Sequence, residues 1–325
     1  MELLNQFYAN EKVKQTLVNF ITDGRLPHAV LLEGEPGVGK THFARLIAAS
    51  SLCSGEKKPC GQCRNCRLVL QDTHPDVMLL SPDGADKPYS VHALRELILS
   101  CYVLPNDGDQ KFYILRNVHE MSEQAQNTLL KIIEEPPPHV FFILTCQSHA
   151  RILPTILSRV VTLTLWPCPV EICAQALKER NPDTDEEECL RLAKQSGGNI
   201  GRALSVLQDE HLSRIVKNAQ EAAQLICDGK EFELLCLLNG YNRQKDDFLL
   251  FLGELRQIFV EVLRQKYGAS DKNFLPGAML NRISALQAMR ILDIIDKVSG
   301  EAAQNVSVSL SGAHLCSALQ QTLRG

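Results

Sequence analysis

Apolar residues in the first half of the chain come in short blocks: HAVLLEG (28–34), DVMLLSP (76–82), KFYILRN (111–117), VFFILTC (140–146) and VTLTL (161–165). Each block is rich in β-branched or aromatic residues and is bounded by turn formers, which predicts buried strands of a mostly parallel sheet. Between them the spacing shifts to a helical rhythm in EKVKQTLVNFITDG, THFARLIAASSL, VHALRELILSCYV and SEQAQNTLLKIIEE. Strand and helix in repetition predict a layered α/β domain over 1–166, with ligands at the carboxyl ends of the strands. WPCP (166–169) interrupts this pattern, because two prolines in four residues continue neither element. Shorter helices are expected over 170–180, 184–196 and 199–208, a small helical lid spanning 167–209. From 210 to 325 the pattern is nearly all helical. Phe248, Phe251, Leu252, Leu255, Phe259 and Val262 fall on one face. Leu286, Met289, Leu292, Ile295 and Val298 are expected to form another.

Composition adds exclusions. The 325 residues are 45% hydrophobic and 22% charged, with 15 prolines and 19 glycines, which rules out a collagen-like or disordered chain. No apolar run approaches the ~18–20 residues of a membrane span, and the N-terminus has neither the basic nor the apolar region of a signal peptide. With 34 basic and 38 acidic residues the net charge is −4, so any contact with DNA needs a local basic patch. Twelve cysteines without a secretion signal are expected to be reduced thiols or metal ligands in a cytoplasmic protein.

Gly34-Glu35-Pro36-Gly37-Val38-Gly39-Lys40-Thr41 matches G-x-x-x-x-G-K-[ST], after a predicted strand and at the start of a predicted helix. Glycines at 34, 37 and 39 let backbone N–H groups, that of Val38 included, curl around phosphates at a helix N-terminus. Lys40 is then expected to reach the β- and γ-phosphates of ATP, and the Thr41 hydroxyl to bind Mg²⁺. Hydrolysis also needs an acidic strand end to hold the ion and polarise water. The strand at 111–117 ends in Arg116 and Asn117, with Glu120 three residues further on. The expected site holds ATP and is poorly equipped to cleave it.

Cys53, Cys60, Cys63 and Cys66 are spaced C-x6-C-x2-C-x2-C, with Pro59, Gly61 and Asn65 as turn formers. Four thiolates over 53–66 suit one closed tetrahedral ion, so a structural Zn²⁺ is expected. A redox reading of Cys60 and Cys63 leaves the other two unexplained. His74, in THPDV, reads as a turn residue.

Taken together, these motifs resemble the bacterial DNA polymerase III clamp loader. They are RLPHAVLLEG before the phosphate loop, the four-cysteine knuckle, HPDV, NTLLKIIEEPP followed by VFFILTC, ILPTILSRV and GGNIGRAL. The resemblance runs through residues 5–208 in order. It implies a P-loop AAA+ domain over 1–166, a lid over 167–209 and a helical collar for oligomerisation over 210–325. It also implies a place in a ring with gamma/tau and delta subunits, which loads the sliding clamp onto primer-template DNA. Motor subunits of that family carry an Asp-Glu pair where Arg116 and Asn117 stand, so the resemblance implies the ring's stator. A working gamma/tau-like motor is the alternative, for which the intact loop speaks. By its length of 325 residues, the chain is expected to lack the tau extension of that family. Ser158-Arg159 matches the family's Ser-Arg-Cys motif, with Val160 in place of the cysteine. By resemblance Arg159 is the finger given in trans to ATP on a neighbouring motor. Thr145 resembles the first sensor and Arg202 the second, and either reads equally as structural. Glu134 and Glu135, adjacent and therefore on different faces of a helix, make a poor acid–base pair and are expected to end a helix before Pro136.

Overall fold

The computed structural model describes residues 2–82, 89–268, 282–304 and 306–324. Its contacts divide the chain into two compact units, Met1–Ala203 and Leu204–Gly325.

The first unit is built on five parallel strands: β1 (Ala29–Glu33), β2 (Val77–Leu80), β3 (Lys111–Leu115), β4 (Val140–Cys146) and β5 (Val161–Thr164), in the order β2-β3-β4-β1-β5. Glu33 pairs with Cys146 and with Thr164, and Leu115 with Leu144, so the strand tips line one edge of the sheet. Alternate residues feed opposite cores: Val30, Leu32, Phe112 and Ile114 pack on one face, Leu31, Tyr113, Leu115 and Phe142 on the other. Burial on both faces, expected of all five strands, holds for β1, β3 and β4. It fails at the edges, where each strand has a single neighbour: Val161 of β5 is 38% and Met78 of β2 43% exposed.

The helices of this unit are α1 (Glu2–Asn5), α2 (Glu11–Thr22), α3 (Lys40–Leu52), α4 (Arg64–Leu70), α5 (Val91–Cys101), α6 (Glu123–Glu134), α7 (Pro154–Leu157), α8 (Val170–Arg180) and α9 (Glu186–Gln195). A tenth, α10 (Ile200–Gln208), crosses the division between the units. Ser90 and Ser122 cap α5 and α6 by accepting the N–H of Ala93 and Ala125. The short helices α1, α4 and α7 lack enough turns to show a periodic stripe, and the sequence pattern did not reveal them.

The second unit contains α11 (Glu210–Asp228), α12 (Glu231–Asn239), α13 (Lys245–Lys266), α14 (Ala285–Ala303) and α15 (Val308–Arg324). All six residues expected on the inner face of α13 are buried. On α14 the expected face needs correction. Leu286 and Met289 are 57% and 40% exposed, and the buried line is Ala288, Ile291, Ile295, Val298 and Ala302. Steps of three fall short of a full turn by about 60° each, so 286 to 298 wind away from one face, whereas alternating steps of three and four stay on it.

Candidate nucleotide and metal sites

The phosphate loop leaves the tip of β1 and enters α3, whose N-cap, Gly39, offers no side-chain acceptor. Lys40 is buried, and its Nζ donates to the carbonyls of Gly34 at 2.6 Å and Glu35 at 2.8 Å. The ammonium thus lies inside the curl of the loop, and with the uncapped helix start it is a donor set that suits a polyphosphate. Burial lowers the Lys40 pKa to about 8; Cys146 and Glu35 work against the shift and Arg116 adds to it. A folded pKa below the ordinary lysine value means that the unfolded chain binds more protons between about pH 8 and the lysine range, so this group adds stability as pH rises through that window. Anionic phosphates beside Lys40 would return its proton. Nucleotide affinity is therefore expected to fall above about pH 8, with uptake of up to one proton on binding. Titration calorimetry in buffers of different ionisation enthalpy measures both. A pH-independent affinity from 7 to 9.5 contradicts the assignment.

Asn199 and Gly201, which sequence reasoning did not single out, brace the loop. Asn199 is buried. Its Nδ2 donates to Pro36 O at 2.7 Å, and its Oδ1 accepts the Arg202 N–H at 3.1 Å. The Gly201 N–H donates to Gly37 O at 3.1 Å. A Cβ at 201 would sit 2.4 Å from that carbonyl oxygen and 2.8 Å from the Gly37 Cα. Only glycine fits there, and the available signal was Asn199 as a helix N-cap after a glycine pair. Gly201→Ala should separate the two backbones and weaken binding of a fluorescent ATP analogue by about tenfold, equivalent to roughly 1.4 kcal/mol. Unchanged affinity would show that this contact does not shape the loop.

Beyond β3 stand Arg116 and Asn117. Asn117 has a left-handed backbone (φ 53°), and its N–H donates to Thr145 Oγ1 at 3.1 Å. Thr145 is buried and ties the tip of β4 to the turn after β3. The Arg116 guanidinium leans toward Ser81 Oγ, 3.5 Å away. Glu120 sits 3.7 Å from His119 in a 3-10 turn, and burial lowers the His119 pKa. Glu33, at the end of β1, accepts from the His149 backbone N–H at 3.0 Å and lies 2.8 Å from its Nδ1. Arg202 lies in the first turn of α10, one residue past the contact made by Gly201. Arg159 follows α7; its guanidinium donates to Thr155 O at 2.8 Å and Ser158 Oγ at 3.1 Å and forms an ion pair with Glu134 Oε1 at 2.8 Å.

The sulfurs of Cys53, Cys60, Cys63 and Cys66 lie within 4.8 Å of one another, and the group can hold a metal ion. Cys53 and Cys63 Sγ are 3.9 Å apart, close to the ~3.8 Å edge of a tetrahedron of sulfurs with 2.3 Å bonds to its centre. Backbone N–H groups of Gly55 and Cys60 donate to Cys53 Sγ, that of Cys63 to Cys60 Sγ, and that of Cys66 to Cys63 Sγ. At Cys63 burial opposes ionisation, but the donors from Cys66 and Ser54 outweigh it and bring the thiol to about 6; burial pushes Cys66 up. His74 stands apart from the cluster, its Nδ1 accepting the Asp76 N–H at 3.1 Å as a turn residue does.

Residues 9–169 match the model of the family described as DNA polymerase III, delta subunit. The DNA polymerase III subunit gamma of Buchnera aphidicola is 33% identical over 275 residues, 79% of this chain and 75% of its own. The subunit delta' of Bacillus subtilis is 31% identical over 260 residues, 79% and 73% of the two chains. The delta' of Escherichia coli is 27% identical over 299 residues, 91% and 88% of the two chains. In fold, the chain is similar to the crystal structure of a DNA polymerase III gamma subunit-related protein from Thermotoga maritima, with a TM-score of 0.51 and 15% identity over 95% of this chain and 99% of that one. No helix among the described residues is long and apolar enough to cross a membrane.

Proposed function

Because this chain belongs to the clamp-loader subunits of DNA polymerase III, we propose that it is the delta prime, or stator, subunit of such a loader. In this reading it sits in a ring with gamma/tau and delta subunits and helps load the sliding clamp onto primer-template DNA. The observation that carries the reading is the tip of β3. An intact phosphate loop faces Arg116 and Asn117, where cleavage of a bound triphosphate needs carboxylates. Gly34, Gly37, Val38, Gly39, Lys40 and Thr41 would hold ATP with Mg²⁺, which supplies charge neutralisation of the phosphates. Thr145 would act mainly as the strut between β3 and β4, and Arg202 would lie near the bound phosphates. Cys53, Cys60, Cys63 and Cys66 would hold a structural Zn²⁺. Arg159 would serve a neighbouring subunit's nucleotide, for which a planar, permanently charged guanidinium is suited.

A single-turnover assay of the purified chain with Mg²⁺ and labelled ATP tests this. ATP bound and left intact supports the stator; cleavage at motor-like rates overturns it. A second reading, an ATPase motor of the gamma type, is favoured by the intact Lys40-Thr41 and by the gamma subunit among the relatives. The double variant Arg116→Asp, Asn117→Glu separates the two. A stator is expected to gain turnover only if the rest of its pocket is competent, whereas a motor cleaves ATP without the change.

A further inference from the structure

We infer that Glu134 is a positioning residue for Arg159, holding the guanidinium in the orientation from which it serves a neighbouring subunit's nucleotide. The inference rests on the reading of Arg159 as a finger acting in trans. A guanidinium carries five N–H donors in one plane. Nη1 donates to Thr155 O at 2.8 Å and Ser158 Oγ at 3.1 Å, and Nη2 forms an ion pair with Glu134 Oε1 at 2.8 Å. Neither the Nε–H nor Nη2 makes a protein hydrogen bond among the described residues, and the side chain is 38% exposed. One edge of the fork is therefore committed to the protein and the other faces outward.

Both supports of that edge are rigid. Glu134 is the last residue of α6, which cannot extend through Pro136-Pro137-Pro138. Ile132 and Ile133 of α6 share a core with Ile156 of α7, and the Arg159 N–H donates to Ile156 O at 2.9 Å. The carboxylate has no local reason to be where it is. A helix C-terminus disfavours negative charge, and neighbouring Glu135 makes no such bond. Its partner across the gap is Arg159. Bonds through Nη1 alone leave the fork free to swing about one end, and Glu134 is the second point of attachment. A misplacement of this kind acts on the transition state, so it lowers kcat and leaves KM unchanged.

The test is turnover at the one nucleotide site that this chain faces, read from pre-steady-state phosphate release over a range of ATP concentrations by a ring reconstituted from this full chain with motor and delta subunits, clamp and primed DNA. Glu134→Ala is expected to lower kcat about threefold, at constant KM for ATP. Glu134→Gln, which keeps the shape but removes the charge of the ion pair, should lower kcat by about as much. In an Arg159→Ala background Glu134→Ala should add nothing. Thermal midpoints of the variants, and their incorporation into the ring, should match those of the parent. Wild-type kcat in Glu134→Ala, or a loss that persists undiminished without Arg159, overturns the positioning role while leaving the finger intact. If Arg159→Ala itself does not slow the ring, the finger reading fails and this inference falls with it.

Discussion

In the ring proposed for this chain, replacing Arg159 with alanine should remove about three orders of magnitude of ATP turnover at the one nucleotide site that the chain would face, the scale of a finger supplied in trans. Other motor sites keep cycling, so the steady-state rate understates the effect. The measurement is pre-steady-state phosphate release, where one site's share of the burst amplitude should disappear. Arg159→Lys should restore little, because an ammonium keeps the charge but loses the planar fork. The chain's own nucleotide binding should not change, since the guanidinium pairs with Glu134, bonds to Thr155 and Ser158, and among the described residues contacts none of the phosphate loop. Nor should folding change much, because a half-exposed ion pair contributes only about 0–1 kcal/mol. A full burst from the alanine variant would remove Arg159 from the chemistry.

If the cysteine cluster holds the proposed zinc, removing it should destabilise the first unit by several kcal/mol, given that structural zinc binds with roughly 10–16 kcal/mol of apparent free energy in small domains. The cluster is continuous with the core. Cys66 is fully buried beside Val69, Cys53 closes α3, and Leu3 lies over Gly61. The seven-residue α4 is too short to persist alone, and it is capped by Cys63, whose sulfur accepts the Cys66 N–H. One zinc per chain by mass spectrometry, and a thermal midpoint well below that of the parent after chelation or in Cys66→Ser, are the expected results. A chelated protein that melts where the parent does would show that the four thiols pack without an ion.

The sites were legible in the sequence to unequal degrees, and the difference is one of range. The phosphate loop and the cysteine knuckle are local: their ligands lie within fourteen residues or fewer, so spacing along the chain is nearly spacing in three dimensions. The strands could be read because a strand buried on both faces needs a continuous apolar run, and β1, β3 and β4 have one. Long-range order was not legible. Nothing in the sequence pattern states that β1 lies between β4 and β5, or that β5 is therefore half wet. The exposed face of α14 was likewise misread, because the apolar residues at 286 and 289 were joined to 295 and 298 by steps of three, which wind off the buried line.

By itself, then, the sequence determined the chemistry that neighbours in the chain can perform: a cradle of N–H groups with one lysine, a four-sulfur set, and a strand tip without carboxylates. Only the tertiary structure decided which distant groups act on these. It brought Asn199 and Gly201 onto Pro36 and Gly37, across more than 160 residues. It tied Asn117 to Thr145 and placed Glu134 against Arg159. Such contacts arise when helices and strands pack their apolar faces and carry polar ends together with them. A hydrophobic pattern specifies which face is buried, but not which other face it meets.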